Sequence, residues 1–116
     1  MKKIIYLALV AVVFTSCLNG EYKFLNLSTV SGSMLECSKD TAELYVQSSS
    51  NFSVKSDQSW CKPEITQGQA TSGTLFDCYV DANPYNSDRN ATVTVTNEDY
   101  TMSVKIYQTA DTTAAQ

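Results

Sequence analysis

From Ala91 to Thr96 the chain alternates small apolar residues with threonine, Ala-Thr-Val-Thr-Val-Thr. A two-residue period points successive side chains to opposite faces, so a segment like this is stable only as a strand with one face on a core and one in water. Met102, Val104 and Ile106 repeat the pattern, as do Ala42, Leu44 and Val46. In residues 76–82 the same rule points Phe76, Cys78, Val80 and Ala82 inward and Asp77, Tyr79 and Asp81 outward. No stretch after Leu25 holds an apolar period of 3.6 residues, which excludes amphipathic helices.

Short apolar segments at 25–27, 35–37, 52–54 and 60–66 bring the expected count to about seven or eight strands, an all-β, two-sheet sandwich. Polar clusters separate them at 31–33, 48–51, 68–73, 83–86 and 97–99. Residues 17–116 contain 13 serines and 12 threonines, an excess that suits outward strand positions and turns. The expected sandwich spans 25–109, followed by a polar tail at 110–116.

Histidine is absent and arginine occurs once, which excludes His-based triads and His-rich metal sites. The chain has 8 basic and 12 acidic residues, and without Lys2 and Lys3 the balance is 6 to 12. Such a surface repels phosphate backbones, so no nucleic-acid partner is expected. The sequence calls for no cofactor and no metal.

Residues 1–16 open with Lys2-Lys3 and continue through an apolar run from Ile4 to Phe14, as in a secretion signal. That run of 11 residues is too short for a transmembrane helix, which needs roughly 20. The ending Phe14-Thr15-Ser16-Cys17 resembles a bacterial lipobox, with Phe14 where leucine is usual. The resemblance implies cleavage before Cys17, its lipidation, and a tether at 17–24 holding the domain on the outer membrane. Multiple acyl chains, at about 0.8 kcal/mol per buried CH₂, anchor a protein essentially permanently. Only one acid, Glu21, follows closely, which leaves periplasmic and cell-surface orientations both open.

Asn51-Phe52-Ser53-Val54, Ser59-Trp60, the turn at 68–73, Val80-Asp81-Ala82-Asn83, Arg89 to Val95 and Val104-Lys105-Ile106-Tyr107-Gln108 occur in an order that resembles the BACON domain of Bacteroidetes proteins. Phe52 stands where that family commonly has a tryptophan, and Cys61 directly follows Trp60. The resemblance implies an immunoglobulin-like sandwich and a non-catalytic role in binding carbohydrate or mucin glycans. The rival it implies is a spacer, or a partner module of an outer-membrane protein complex.

With Cys17 consumed by lipid, Cys37, Cys61 and Cys78 allow one disulfide in an oxidising compartment. Residues 61 and 78 are symmetric about the 68–73 turn, which favours Cys61 with Cys78 if their strands form a hairpin. Parity favours Cys37 with Cys78 instead, unless a bulge at Trp60 turns Cys61 inward. Trp60, at the position resembling the family's core tryptophan, is expected in the core. Tyr45, Tyr79 and Tyr107 have outward parity, and Tyr85 and Tyr100 fall in turns, so these five are the candidate glycan contacts. Asp77 and Asp81 share a face but lie about 13 Å apart along one strand, too far for a retaining glycosidase pair. Arg89 is expected to pair locally with Asp81 or Asp88, and Asp40-Thr41-Ala42 and Asp111-Thr112-Thr113 resemble a short O-glycosylation motif.

Overall fold

A computed structural model describes residues 22–112. The segments expected to be a signal sequence and most of a tether, with Cys17 between them, lie outside the described residues, as do the last four residues of the expected tail. Nine strands form two sheets: β1 (Leu25–Ser31), β2 (Met34–Leu35), β3 (Asp40–Ser48), β4 (Phe52–Ser56), β5 (Cys61–Pro63), β6 (Gln67–Gly68), β7 (Thr71–Val80), β8 (Arg89–Thr96) and β9 (Thr101–Gln108). The first sheet has the order β1-β3-β7-β5 and the second β2-β9-β8-β4-β6. All pairs are antiparallel except β2 with β9. This is the all-β, two-sheet sandwich that the alternation requires, and it is immunoglobulin-like as the family resemblance implies.

Parity sets the core. Leu44, Val46, Phe76, Cys78 and Val80 from the first sheet face Val54, Ala91, Val93, Val95 and Ile106 from the second, all buried. Burying a side chain of this size is worth about 1.5–3 kcal/mol. The edge of the first sheet crosses to the second at Gly32, whose φ of 83° lets β1 end and β2 begin on the opposite layer. Val30 is bulged out just before this switch and is exposed.

Both ends of the sandwich are closed by a buried asparagine. Asn83 donates to the carbonyls of Ser87 and Thr109 and accepts from the Tyr85 N–H. Asn97 donates to the Phe24 carbonyl and Ser48 Oγ and accepts from the Asp99 and Tyr100 N–H groups. Each amide thereby satisfies backbone groups that the turn would leave open in a dry site.

Four expectations are corrected. β7 ends at Val80, leaving Ala82 exposed and Asn83 buried in its place. The 60–66 segment is not one strand: β5 pairs with β7, after which the chain crosses the open side of the sandwich and β6 pairs with β4. The 68–73 turn shrinks accordingly, because Gly68 already belongs to β6 and Thr71 to β7. Met102 is 37% exposed and Val104 half-buried despite inward parity, because β9 borders β8 on one side and is covered on the other only at its C-terminal end.

Candidate functional site

The outer face of the first sheet gathers two of the five candidate tyrosines. Tyr45 on β3 stands opposite Leu75 on β7, and Tyr79 on β7 lies between Thr41 and Lys62. Leu75 is 54% and Tyr79 47% exposed, an apolar surface that alternation alone places in water. Where β7 bulges against Gln47, the Ser72 carbonyl leaves the ladder and accepts from Gln47 Nε2 at 3.0 Å and Tyr45 Oη at 3.5 Å. The Tyr45 ring lies over Gly73, filling the space that a Cβ there would need.

Glu43 and Asp77 stand directly opposite one another between the two tyrosines. Counting residues along a single strand could not find this pair, because it forms across strands. Cross-strand partners have Cβ atoms about 5 Å apart, close enough for both carboxylates to accept from one sugar hydroxyl system. They lie on an open sheet face, whereas an acid–base pair needs one carboxyl held in an apolar site.

Following β7 toward its N-terminal end, this face meets an open cleft of about 530 Å³ lined by Tyr22, Phe24, Ser48, Ser72, Glu98 and Asp99 among others. The Tyr22 and Phe24 rings lie 5.6 Å apart, and Lys23 reaches Asp99 at 3.4 Å. Sequence reasoning passed over Tyr22 and Phe24. The signal was their period-2 spacing around Lys23, immediately before the first strand.

The remaining candidates are dispersed. Tyr107 is exposed on the outer face of the second sheet, opposite Asn90, so it cannot share a ligand surface with Tyr45 and Tyr79. Tyr85 and Tyr100 are exposed in turns at opposite ends of the sandwich. Trp60 is half-buried in the turn before β5 and packs against the core. Its other face is covered by Arg89, whose guanidinium carbon lies 3.9 Å from the ring centroid. With both faces occupied, Trp60 offers no stacking platform.

Arg89 does not pair with a carboxylate. It donates to Gln108 Oε1 at 2.8 Å and to the Asp81 and Ala82 carbonyls at 3.0 Å, and burial lowers its pKa. The Asp81 carboxylate turns instead to Lys62 at 2.8 Å, a hydrogen bond that holds it below the ordinary aspartate value.

Cys61 and Cys78 are both buried but carry no disulfide, and Cys37 is also a free thiol. The hairpin register is two residues off the symmetric one, Cys61 pairing with Val80 and Pro63 with Cys78. A two-residue slip keeps both thiols inward, so no bulge at Trp60 is needed. It also makes them diagonal neighbours across the β5–β7 pair. Their side chains lie within hydrogen-bonding reach of one another. A hydrogen bond between them lowers Cys61 and, together with burial, raises Cys78. Among the described residues no group of three or more His, Cys, Asp or Glu side chains is placed to hold a metal, and no helix is long and apolar enough to cross a membrane.

The described residues form a two-sheet immunoglobulin-like sandwich with exposed aromatic and aliphatic side chains on one open sheet face. The chain belongs to the BACON family, whose model, described as "Putative binding domain, N-terminal", matches residues 49–109. Among solved structures, the chain is similar to a Bacteroides ovatus GH5 xyloglucanase in complex with a XXXG heptasaccharide, with 21% identity and a TM-score of 0.62. That match covers 73% of this chain and 19% of the enzyme chain, so the likeness is one of fold over about a fifth of that protein. No curated protein matches this chain.

Proposed function

We propose that this chain is a non-catalytic carbohydrate-binding module of a bacterial cell envelope, held on the outer membrane through lipidated Cys17. The observation that carries the reading is the track on the first sheet, where Tyr79, Leu75 and Tyr45 line one open face that runs into the aromatic cleft. Planar rings suit the apolar faces of sugars, while Glu43, Asp77 and the surrounding hydroxyls accept and donate to sugar hydroxyls. An extended glycan fits this shape better than a monosaccharide, because β7 runs ten residues, about 33 Å. Membership of a family described as a binding domain supports the reading. So, weakly, does likeness to an enzyme solved with an oligosaccharide.

The test is binding of the mature chain to an array of mucin glycans and plant polysaccharides. Saturable binding is expected, with Tyr79→Ala losing about tenfold or more in affinity, as for removal of an exposed aromatic anchor. Tyr107→Ala, on the opposite sheet, leaves it unchanged. Silence across the array, or equal loss in both variants, sinks the track. The chain would then be read as a spacer or protein-partner module.

A further inference from the structure

We propose that two copies of this chain associate edge to edge through β9, joining their second sheets into one continuous sheet. This inference is independent of the carbohydrate reading and rests on the backbone of β9. The N–H groups of Tyr107 and Thr109 point away from β8 and are taken by the carbonyls of Ser33 and Leu35, beside or within β2. In an antiparallel ladder, N–H and C=O of alternate residues point to the same side. Thr101, Ser103 and Lys105 therefore point their N–H and C=O groups away from β8 as well. There, among the described residues, no strand pairs with them, because β2 reaches only Tyr107 and Gln108.

The side chains tell the same story. Met102 and Val104 have inward parity but remain partly in water, and Met34, Tyr100 and Tyr107 are exposed around this edge. Proteins usually blunt a free edge with proline, repeated charge or a bulge, and here only Lys105 does so.

A second copy of this chain fits the edge because the free segment is self-complementary. Antiparallel pairing about a two-fold axis at Ser103 places Ser103 opposite Ser103 of the second copy and Thr101 opposite its Lys105. All three outward-facing residues then fall at hydrogen-bonded positions, giving six new backbone bonds. Met102 meets Val104 of the second copy on the inward side, and no like charges stand opposite each other. The register also ends where it must, since the hairpin turn of each copy arrives where β2 of the other begins.

The experiment is cysteine crosslinking in intact cells expressing the full chain with Cys37→Ser. Ser103→Cys is expected to give a disulfide-linked dimer under a thiol oxidant. Thr94→Cys, on the same outer face one strand further in, is expected to give none. Ser103→Pro removes an outward N–H without breaking an internal ladder bond, so sedimentation should show loss of the dimer with the strand signal in circular dichroism unchanged. Equal or absent crosslinking at 103 and 94 overturns the proposal. So does a crosslinked species heavier than two copies, which would mean that the edge takes a strand from another protein.

Discussion

At Gly32 the backbone takes a φ of 83°, and a Cβ there would stand 2.7 Å from the Ala42 Cα. The obstacle is backbone rather than a side chain that can swing aside, and a non-glycine residue in this region carries about 1–3 kcal/mol of strain of its own. Gly32→Ala should therefore lower the urea midpoint by at least that equivalent, and an unchanged midpoint would show that the sheet switch does not depend on this torsion. Gly73 is a different case, because its obstacle is the Tyr45 ring, which can move. The thiols give a second prediction at this scale. Cys37 is half-exposed whereas Cys61 and Cys78 are buried, so in residues 18–116, which leave out Cys17, an aromatic disulfide reagent should titrate one thiol in the native state and three after unfolding. Cys78 keeps its proton in the fold above the ordinary thiol value of about 8.5. Its contribution to stability is thus complete below that pH and is lost as pH rises further. Cys61 is shifted down and contributes in the opposite direction at lower pH. The pair is expected to add stability as pH rises toward the ordinary thiol range and to lose it above that range, and a urea midpoint that keeps rising to pH 10 would contradict the hydrogen bond between the two thiols.

Strand β5 is three residues long and holds the turn carrying Trp60 against Arg89. Arg89 also covers Gln108 Oε1, a side chain 1% exposed whose amide nitrogen reaches the Asp81 carbonyl at 2.9 Å. Arg89→Ala leaves that buried oxygen without its donor and uncovers the indole, which should destabilise the fold by about 2–3 kcal/mol. Arg89→Lys restores a charge but neither the fork nor the stacking plane, so it should recover less than half of the loss in a denaturant titration. Full recovery would mean that charge, not geometry, holds this corner. These elements show where the sequence is legible. Faces were readable because parity is local: the inward sets of β3, β7 and β8 follow directly from alternation. Register and edges were not, because they depend on partners far along the chain. The slip that sets Cys61 diagonal to Cys78, the Glu43–Asp77 opposition and the separation of Tyr107 from Tyr79 all arise when strands pair, and no single segment encodes them.

On the scale of the whole molecule, the tether and the edge constrain each other. Residues 17–24 span at most about 28 Å when fully extended. They enter β1 at the end of the sandwich occupied by Phe24 and the 97–100 turn. Two copies joined antiparallel through β9 with the axis at Ser103 send residues 17–24 out from opposite ends, about 26 Å apart, because residue 99 of one copy stands level with Tyr107 of the other. With Cys17 lipidated as proposed, an upright pair would need one of the two tethers almost fully extended along the domain. Lying with its strands along the membrane relieves that extension, and on the proposed function it would hold two glycan tracks on one assembly and allow avidity for a long chain. A single copy hanging from one tether has no such constraint and would keep the 97–100 turn nearer the lipid than the 83–86 turn. Fluorophores placed at Glu98→Cys and Asn86→Cys in a Cys37→Ser background separate the two arrangements. Quenchers in the lipid headgroups should affect both positions about equally for the pair. Strong quenching at 98 with little at 86 would instead describe a lone domain standing on its anchor, and Ser103→Pro should convert the first pattern into the second.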